Sequence, residues 1–196
     1  MTPFLIDLDD VCFDWLTTFK GYAARVGLKF VPGNEHNYDL VDSFPNNDPE
    51  LVYRHLRAFN HMTDYFYMEP RAGATDVLFA LRNEFPNSLF IAVSSCGTDS
   101  ITARARRYQT RHLPLDSMIL LPMGQGKANV YRQFTKGYVI EDGPQNLRAA
   151  TQAGHYAICF DAPYNRHVEA PLRITAWSEL HGILTAGTFP GQPART

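Results

Sequence analysis

Three carboxylates near the start of the chain have the types and spacing of a metal site. Asp7, Asp9 and Asp10 lie within four consecutive positions, in and just after the apolar, strand-like run from Phe4 to Leu8. Carboxylates this close raise one another's pKa when buried, and a bound cation is the usual way to keep them ionised. Because every donor is oxygen, the pattern favours Mg²⁺.

A second acidic pair, Glu141 and Asp142, follows the apolar run 138–140. The carboxyl ends of parallel strands meet at one edge of a sheet, so both acidic groups are expected at the same edge. The alternative is that each group only caps the helix after its strand, since Asp is common at N-caps.

Hydroxyl groups and one cation are expected at the same edge. Ser94 and Ser95 follow the strand-like run 89–93, and Lys127 opens the helical pattern before the second acidic pair. Carboxylates with a metal, hydroxyls, a lysine and helix N-termini are typical of a phosphate-binding site.

The elements that would position these residues alternate between strand and helix from about residue 73 onward. Such alternation predicts an α/β fold with a central parallel sheet, covered by helices on both faces. The predicted strands are Phe4–Leu8, Leu89–Val93, Met118–Leu121, Tyr138–Ile140 and Tyr156–Phe160, and the predicted helices that follow them are Ala74–Phe85, Thr98–Arg111, Lys127–Phe134 and Asn146–Ala153.

Residues 14–72 break this alternation with two helical patterns. One carries apolar residues at helical spacing from Trp15 and ends at Gly27, and the other starts at an Asp48-Pro49 cap. The sequence therefore predicts a core made of residues 1–13 and 73–196, with a small helical insert at 14–72.

Composition excludes several classes of protein. The 196 residues are 45% hydrophobic and 19% charged, which is typical of a globular chain. A formal net charge of −2 offers no general attraction to a nucleic acid polymer or an anionic membrane. The chain has three cysteines without a paired spacing and no signal-peptide pattern, so we expect a reducing cytoplasm. The cluster Arg104, Arg106, Arg107 and Arg111 is interpreted as a solvated helix face.

With these motifs in order, the sequence resembles the haloacid dehalogenase-like (HAD) hydrolase superfamily. Its motifs are a D-x-D-x-[TV] strand end, a Ser or Thr strand end, a Lys and an acidic pair, and all four are present here. The resemblance implies a Rossmann-like core, and the insert lies where the superfamily places its helical C1 cap.

Within the superfamily, the chain is most similar to the 5'(3')-deoxyribonucleotidases. Their first motif continues with an acidic residue and an aromatic, as the run from Asp7 to Trp15 does, and the segment 65–74 resembles their exit from the cap. Two departures are Asp10, where these phosphatases usually have glycine, and the segment 123–126, where a basic residue is expected.

The resemblance implies a role for each motif residue. Asp7 would be the nucleophile that carries an aspartyl-phosphate, and Asp9 the general acid and base. Magnesium would be bound by the Asp7 carboxylate, the Asp9 main-chain carbonyl and Asp142, with Glu141 behind them. The phosphoryl oxygens would be held by Ser94, Ser95 and Lys127.

The implied substrate is a nucleoside monophosphate, whose base would stack on aromatic residues of the cap. Trp15 and Phe66 are the candidates, because one follows the nucleophile motif and the other precedes the return to the core. A phosphatase or phosphomutase for another small phosphate ester stays open, since it shares every core residue. A non-catalytic binding module is disfavoured, because such proteins lose Asp7 or Asp9. A homodimer is left open.

Overall fold

Six parallel strands form the central sheet of the computed structural model, which describes residues 1–31, 38, 40–44 and 48–186. The spatial order is β3-β2-β1-β4-β5-β6, so the predicted α/β class with a parallel sheet is confirmed. The strands are β1 (Pro3–Ile6), β2 (Leu89–Ser94), β3 (Ser117–Leu120), β4 (Tyr138–Glu141), β5 (Tyr156–Phe160) and β6 (Leu172–Ile174).

Eight α-helices are present in the described part of the chain. They are α1 (Trp15–Arg25), α2 (Pro49–Phe59), α3 (Thr63–Phe66), α4 (Ala74–Glu84), α5 (Ser100–Thr110), α6 (Ala128–Tyr131), α7 (Pro144–Gln152) and α8 (Trp177–Thr185). None of these described helices is long and apolar enough to cross a membrane.

The core lies on both faces of the sheet because the strands are apolar on both sides. In β1, Phe4 and Ile6 belong to one buried hydrophobic cluster, whereas Leu5 belongs to the other. The chain builds the sheet outward from β1 to β3 on one side and then crosses to β4 on the other. In open α/β sheets a ligand site forms where the strand order reverses, here between β1 and β4.

The insert leaves and rejoins the core at neighbouring points. Phe13 pairs with Pro70 in an antiparallel bridge, and the Arg71 amide donates to the Cys12 carbonyl over 2.7 Å. Between these points lie α1, α2 and α3. Phe19 of α1 packs on Phe59 of α2, which in turn packs on Tyr65 of α3. The Asp48 carboxylate caps α2, as the sequence predicts, by accepting from the next two free amides. The division at 14–72 remains a prediction.

Two elements of the core were not predicted. Strand β6 has three residues with Arg173 at its centre, so it lacks the apolar run that identifies a buried strand. Helix α8 starts at Trp177, which is fully buried and donates from its indole nitrogen to the Val11 carbonyl over 2.9 Å. Residues 187–196 of the predicted core lie outside the described part.

Candidate active site

A buried cluster of opposite charges lies where β1 and β4 end. Asp7 directly follows β1, Glu141 ends β4, and the Lys127 ammonium lies 2.7 Å from an oxygen of each. Burial raises the pKa of Asp7 and the Glu141 charge adds to this, while Lys127 opposes it. Burial acts against charge on Glu141 as well, but Lys127 lowers its pKa to about 2. One lysine therefore offsets two carboxylates.

Glu141 is fully occupied by donors from the protein. Its Oε2 accepts from the Tyr131 hydroxyl over 2.9 Å as well as from Lys127. Its Oε1 accepts from the Asp142 and Gly143 amides over 3.1 and 2.9 Å. Glu141 thus positions Lys127 and the turn after β4.

The donor set at this edge fits a hard cation. Carboxylate oxygens of Asp7, Glu141 and Asp142 lie within 4.8 Å of one another. Asp142 Oδ2 accepts from the Tyr164 hydroxyl, whereas its buried Oδ1 has no hydrogen-bond partner among the described residues. Burial, followed by the Asp7 and Glu141 charges, raises the pKa of Asp142. An unpartnered buried carboxylate oxygen beside further carboxylates is what a divalent cation would satisfy.

Asp9 points its carboxylate to a different partner. Its Oδ2 is paired with a guanidinium nitrogen of Arg106, and Asp9 is outside the three-carboxylate group. Arg106 is fully buried, so the interpretation of its arginine cluster as a solvated face is wrong at this position. The other three, Arg104, Arg107 and Arg111, are exposed.

The two serines after β2 take different places. Ser94 is fully buried, and its hydroxyl oxygen lies 3.4 Å from Arg106 Nη2. The Ser95 hydroxyl donates to the Gln125 carbonyl over 2.7 Å, and Ser95 lines a cavity above the sheet edge.

This cavity of about 360 Å³ joins the sheet edge to the inserted helices. Asp9, Asp142 and Ser95 line it on the core side. On the insert side it is lined by side chains that include Trp15 and Tyr53. The volume is in the range of small-molecule sites.

A sequence model of the family described as "5' nucleotidase, deoxy (Pyrimidine), cytosolic type C protein" matches residues 1–189. The chain belongs to this nucleotidase family. It is therefore a phosphoric monoester hydrolase of the HAD-like type, as its motifs predict. No curated protein sequence matches the chain significantly.

Solved structures share the fold of this nucleotidase family member. A haloacid dehalogenase-like hydrolase from Streptococcus pneumoniae has a TM-score of 0.66 at 13% identity, covering 94% of this chain and 98% of that one. CbbY from Rhodobacter sphaeroides in complex with phosphate gives 0.60 at 17%, covering 92% and 96%. The HAD-hydrolase YfnB from Bacillus subtilis, bound to magnesium, gives 0.57 at 16%, covering 93% and 98%.

The two aromatic residues predicted to meet the nucleotide lie in different surroundings. Trp15 lines the cavity and stacks on Phe19, with ring centroids 5.0 Å apart. Phe66 packs against Tyr67 and Tyr108 at 5.0 and 4.7 Å, and it is not among the described residues that line the cavity. The structure brings Trp15 to the site and places Phe66 elsewhere.

Asp10 occupies the position where the resemblance leads to an expectation of glycine, and its backbone conformation is one that suits glycine. Its φ is +54°, in the left-handed region that favours glycine and tolerates aspartate. The Asp10 carboxylate accepts from the Leu16 amide over 2.9 Å and so caps α1. Burial raises the pKa of Asp10 to about 7.

Sequence reasoning missed Tyr164 and misplaced Arg106. The Tyr164 hydroxyl contacts Asp142 and lies 3.4 Å from Asp10. The signal for Tyr164 is its position just after the end of β5, at the same sheet edge. For Arg106 the signal is its spacing from Thr102 and Gln109, which places all three on one face of α5.

Proposed function

We propose that this protein is a magnesium-dependent phosphatase that hydrolyses deoxynucleoside and nucleoside monophosphates through an aspartyl-phosphate on Asp7. The observation that carries the proposal is the cavity, whose lining includes Asp9 and Asp142 as well as Trp15. A phosphate monoester with a flat base matches both sides of such a cavity. The nucleotidase family model supports the same substrate class.

Asp7 is proposed to attack phosphorus. Its Oδ1 accepts from Lys127 and from the Leu8 amide, both over 2.7 Å, and these contacts fix the direction of the carboxylate. An Asp7–phosphorus bond forms as the bond from phosphorus to the nucleoside oxygen breaks. The electron pair stays on the nucleoside oxygen, which takes a proton from Asp9.

In the second step Asp9 works in reverse. It takes a proton from water as the water oxygen attacks phosphorus, and the bond to Asp7 breaks with its electron pair returning to the carboxylate. Inorganic phosphate is released, and both aspartates regain their initial states. Splitting one difficult displacement into two easier ones is the general advantage of covalent catalysis.

The remaining residues bind and neutralise the phosphoryl group. Ser94, Ser95 and Lys127 are proposed to hold its oxygens, and Ser95 already lines the cavity. Magnesium would be held by the Asp7 and Asp142 carboxylates and the Asp9 main-chain carbonyl, where it supplies positive charge for the phosphoryl oxygens.

Base recognition is assigned to the cavity side formed by Trp15 and Tyr53. A base stacked on an aromatic ring gains about 1–3 kcal/mol, which a sugar phosphate does not. Amide side chains from Asn60 and Gln145 also line the cavity and supply donors and acceptors for a base edge.

The three cysteines support a reducing setting for this reaction. They are all free and buried, and the family description contains the word cytosolic. We therefore propose a cytoplasmic enzyme.

The test is phosphate release from a panel of nucleoside monophosphates and hexose phosphates, with Mg²⁺ and with a chelator. We expect turnover of deoxynucleoside monophosphates, and loss of that turnover in chelator that added Mg²⁺ restores. Full activity in chelator would refute the metal requirement. Preference for hexose phosphates would favour a sugar phosphatase, and isomerised sugar phosphate would favour a mutase. No phosphate release from any ester would leave a binding module.

A further inference from the structure

Arg106 is a fully buried cation that the reaction outlined above does not use. It extends from α5 to Asp9 Oδ2, and the same nitrogen lies 3.4 Å from the Ser94 hydroxyl. Its other terminal nitrogen donates to Gln109 Oε1 over 2.9 Å. A buried cation this close to a proposed acid–base residue calls for a role.

The guanidinium group is held firmly before any substrate arrives. It lies over the Tyr65 ring, 4.8 Å from the centroid, and Gln109 in turn donates to the Tyr65 carbonyl. Tyr65 is fully buried in α3, so Arg106 is fixed from the core helix and from the insert together. Because the guanidinium has few alternative positions, its partner Asp9 has few as well.

This contact leaves the two Asp9 oxygens in different states. Oδ2 is occupied by Arg106, whereas Oδ1 is buried and has no hydrogen-bond partner among the described residues. Asp9 also lines the cavity, and its carboxylate is outside the group formed by Asp7, Glu141 and Asp142. Oδ2 is thus held by Arg106, whereas no hydrogen bond from a described residue competes for Oδ1.

We propose that Arg106 is a positioning residue, which anchors Asp9 through Oδ2, keeps that carboxylate away from the cation-binding carboxylates and leaves Oδ1 to give and take the proton. Direct binding of the phosphoryl group by Arg106 is disfavoured, because its two terminal nitrogens are already paired with Asp9 and Gln109. The inference rests on the proposed phosphatase function.

Two substrates with different leaving groups separate this role from a structural one. A nucleoside oxygen must be protonated as it leaves, whereas p-nitrophenolate is a stable anion that leaves without a proton. We expect Arg106→Met to lower kcat/KM for a deoxynucleoside monophosphate on the order of 10²-fold, but that for p-nitrophenyl phosphate less than about threefold. Arg106→Lys keeps the charge without the planar fork and is expected to fall between. Arg107→Met, on the exposed face of the same helix, is the matched control and should change neither.

A double-mutant cycle tests whether Arg106 acts through Asp9. In the Asp9→Asn background, Arg106→Met should lower kcat/KM for the nucleotide by no more than about threefold further. Equal losses on both substrates, or an undiminished loss in the Asp9→Asn background, would overturn the inference alone. Failure of the wild-type enzyme to hydrolyse any phosphate ester would overturn the proposed function and this inference with it. If Arg106→Met does not fold, Arg106→Lys carries the same two comparisons.

Discussion

The two sides of the cavity are built by different physical means. The core side adjoins a buried cluster, called here the catalytic edge, of Asp7, Lys127, Glu141 and Asp142, of which Asp142 lines the cavity. Its three carboxylates lie at or just after the ends of β1 and β4, which are neighbours in the sheet. The insert side, called here the aromatic wall, consists of Trp15, Tyr53 and Leu56 on α1 and α2. The catalytic edge is fixed by the sheet, and the aromatic wall is fixed only by the packing of helices.

This difference implies that mutations can change the rate of phosphate hydrolysis and the preference among substrates separately. At the catalytic edge Lys127 is paired with both Asp7 and Glu141, so removing one of these groups leaves a buried charge without its partner. At the aromatic wall a side chain contributes contact area, and truncation mainly removes that area. Mutations at the edge should affect every substrate, and mutations at the wall should affect some substrates more than others.

The largest effect is expected at the nucleophile. Asp7→Asn keeps the shape of the side chain but removes the charge that attacks phosphorus, so turnover should fall on the order of 10⁴-fold or more for every phosphate ester. Phosphate release with Mg²⁺ measures this, and mass spectrometry of acid-quenched protein should show phosphate on wild-type Asp7 only. Ordinary turnover by Asp7→Asn would require another nucleophile. It would also contradict the expectation that mutations at the catalytic edge affect every substrate.

The effect of losing the general acid should depend on the leaving group of the substrate and not on its base. Asp9→Asn is expected to lower kcat/KM for nucleotides by roughly 10²–10⁴-fold because proton transfer is lost. For p-nitrophenyl phosphate kcat/KM should change far less, since that leaving group needs no proton in the first step. Equal losses for the two substrates would show that Asp9 holds the site together instead.

The catalytic edge was accessible to sequence reasoning because its residues follow apolar strands. Parallel strands place their carboxyl ends together, so Asp7, Ser94 and Glu141 could be brought to one edge without a structure. Lys127 was placed there too, although its contact with both carboxylates depends on a short helix whose extent the pattern overestimated.

The aromatic wall was harder to predict, because the insert has many aromatic side chains and the sequence does not show which of them line the cavity. The sequence favours Trp15 and Phe66 about equally as residues that stack on a base. Of these two described residues, Trp15 lines the cavity and Phe66 does not. Arg106 was misjudged because an arginine in a helix is usually solvated, and its partner Asp9 lies 97 positions away. Contacts over such separations are not visible in local periodicity.

A smaller and more selective effect is expected at the aromatic wall. Trp15→Ala should lower kcat/KM for deoxynucleoside monophosphates by about 5- to 150-fold, the equivalent of about 1–3 kcal/mol of stacking, and change that for p-nitrophenyl phosphate much less. The measurement is kcat/KM on both substrates.

The matched control for Trp15 is Phe66→Ala, which removes an aromatic ring that packs on Tyr67 and Tyr108 away from the cavity. We expect this variant to retain the wild-type preference for nucleotides. Equal losses on all substrates in Trp15→Ala would assign that indole to packing against Phe19 and would remove the distinction between wall and edge.

The smallest effect is expected at Asp10, which joins the two sides. Its backbone is left-handed just after the nucleophile strand, and its side chain caps the first helix of the insert. Asp10→Ala loses the acceptor for the Leu16 amide and puts alanine, which tolerates positive φ less well than aspartate, at this position. The free energy of unfolding should therefore fall by about 1–3 kcal/mol. Denaturant unfolding at a single pH measures the change.

Two further variants at Asp10 separate the backbone effect from the cap. Asp10→Asn retains an oxygen acceptor and tolerates the left-handed region, so its stability should stay close to that of the wild type. Asp10→Gly relaxes the backbone but loses the cap, and should fall between Asn and Ala. If Asp10→Gly were as stable as Asp10→Asn, the hydrogen bond to Leu16 would contribute nothing measurable. The link between the catalytic edge and α1 would then be carried by the backbone alone.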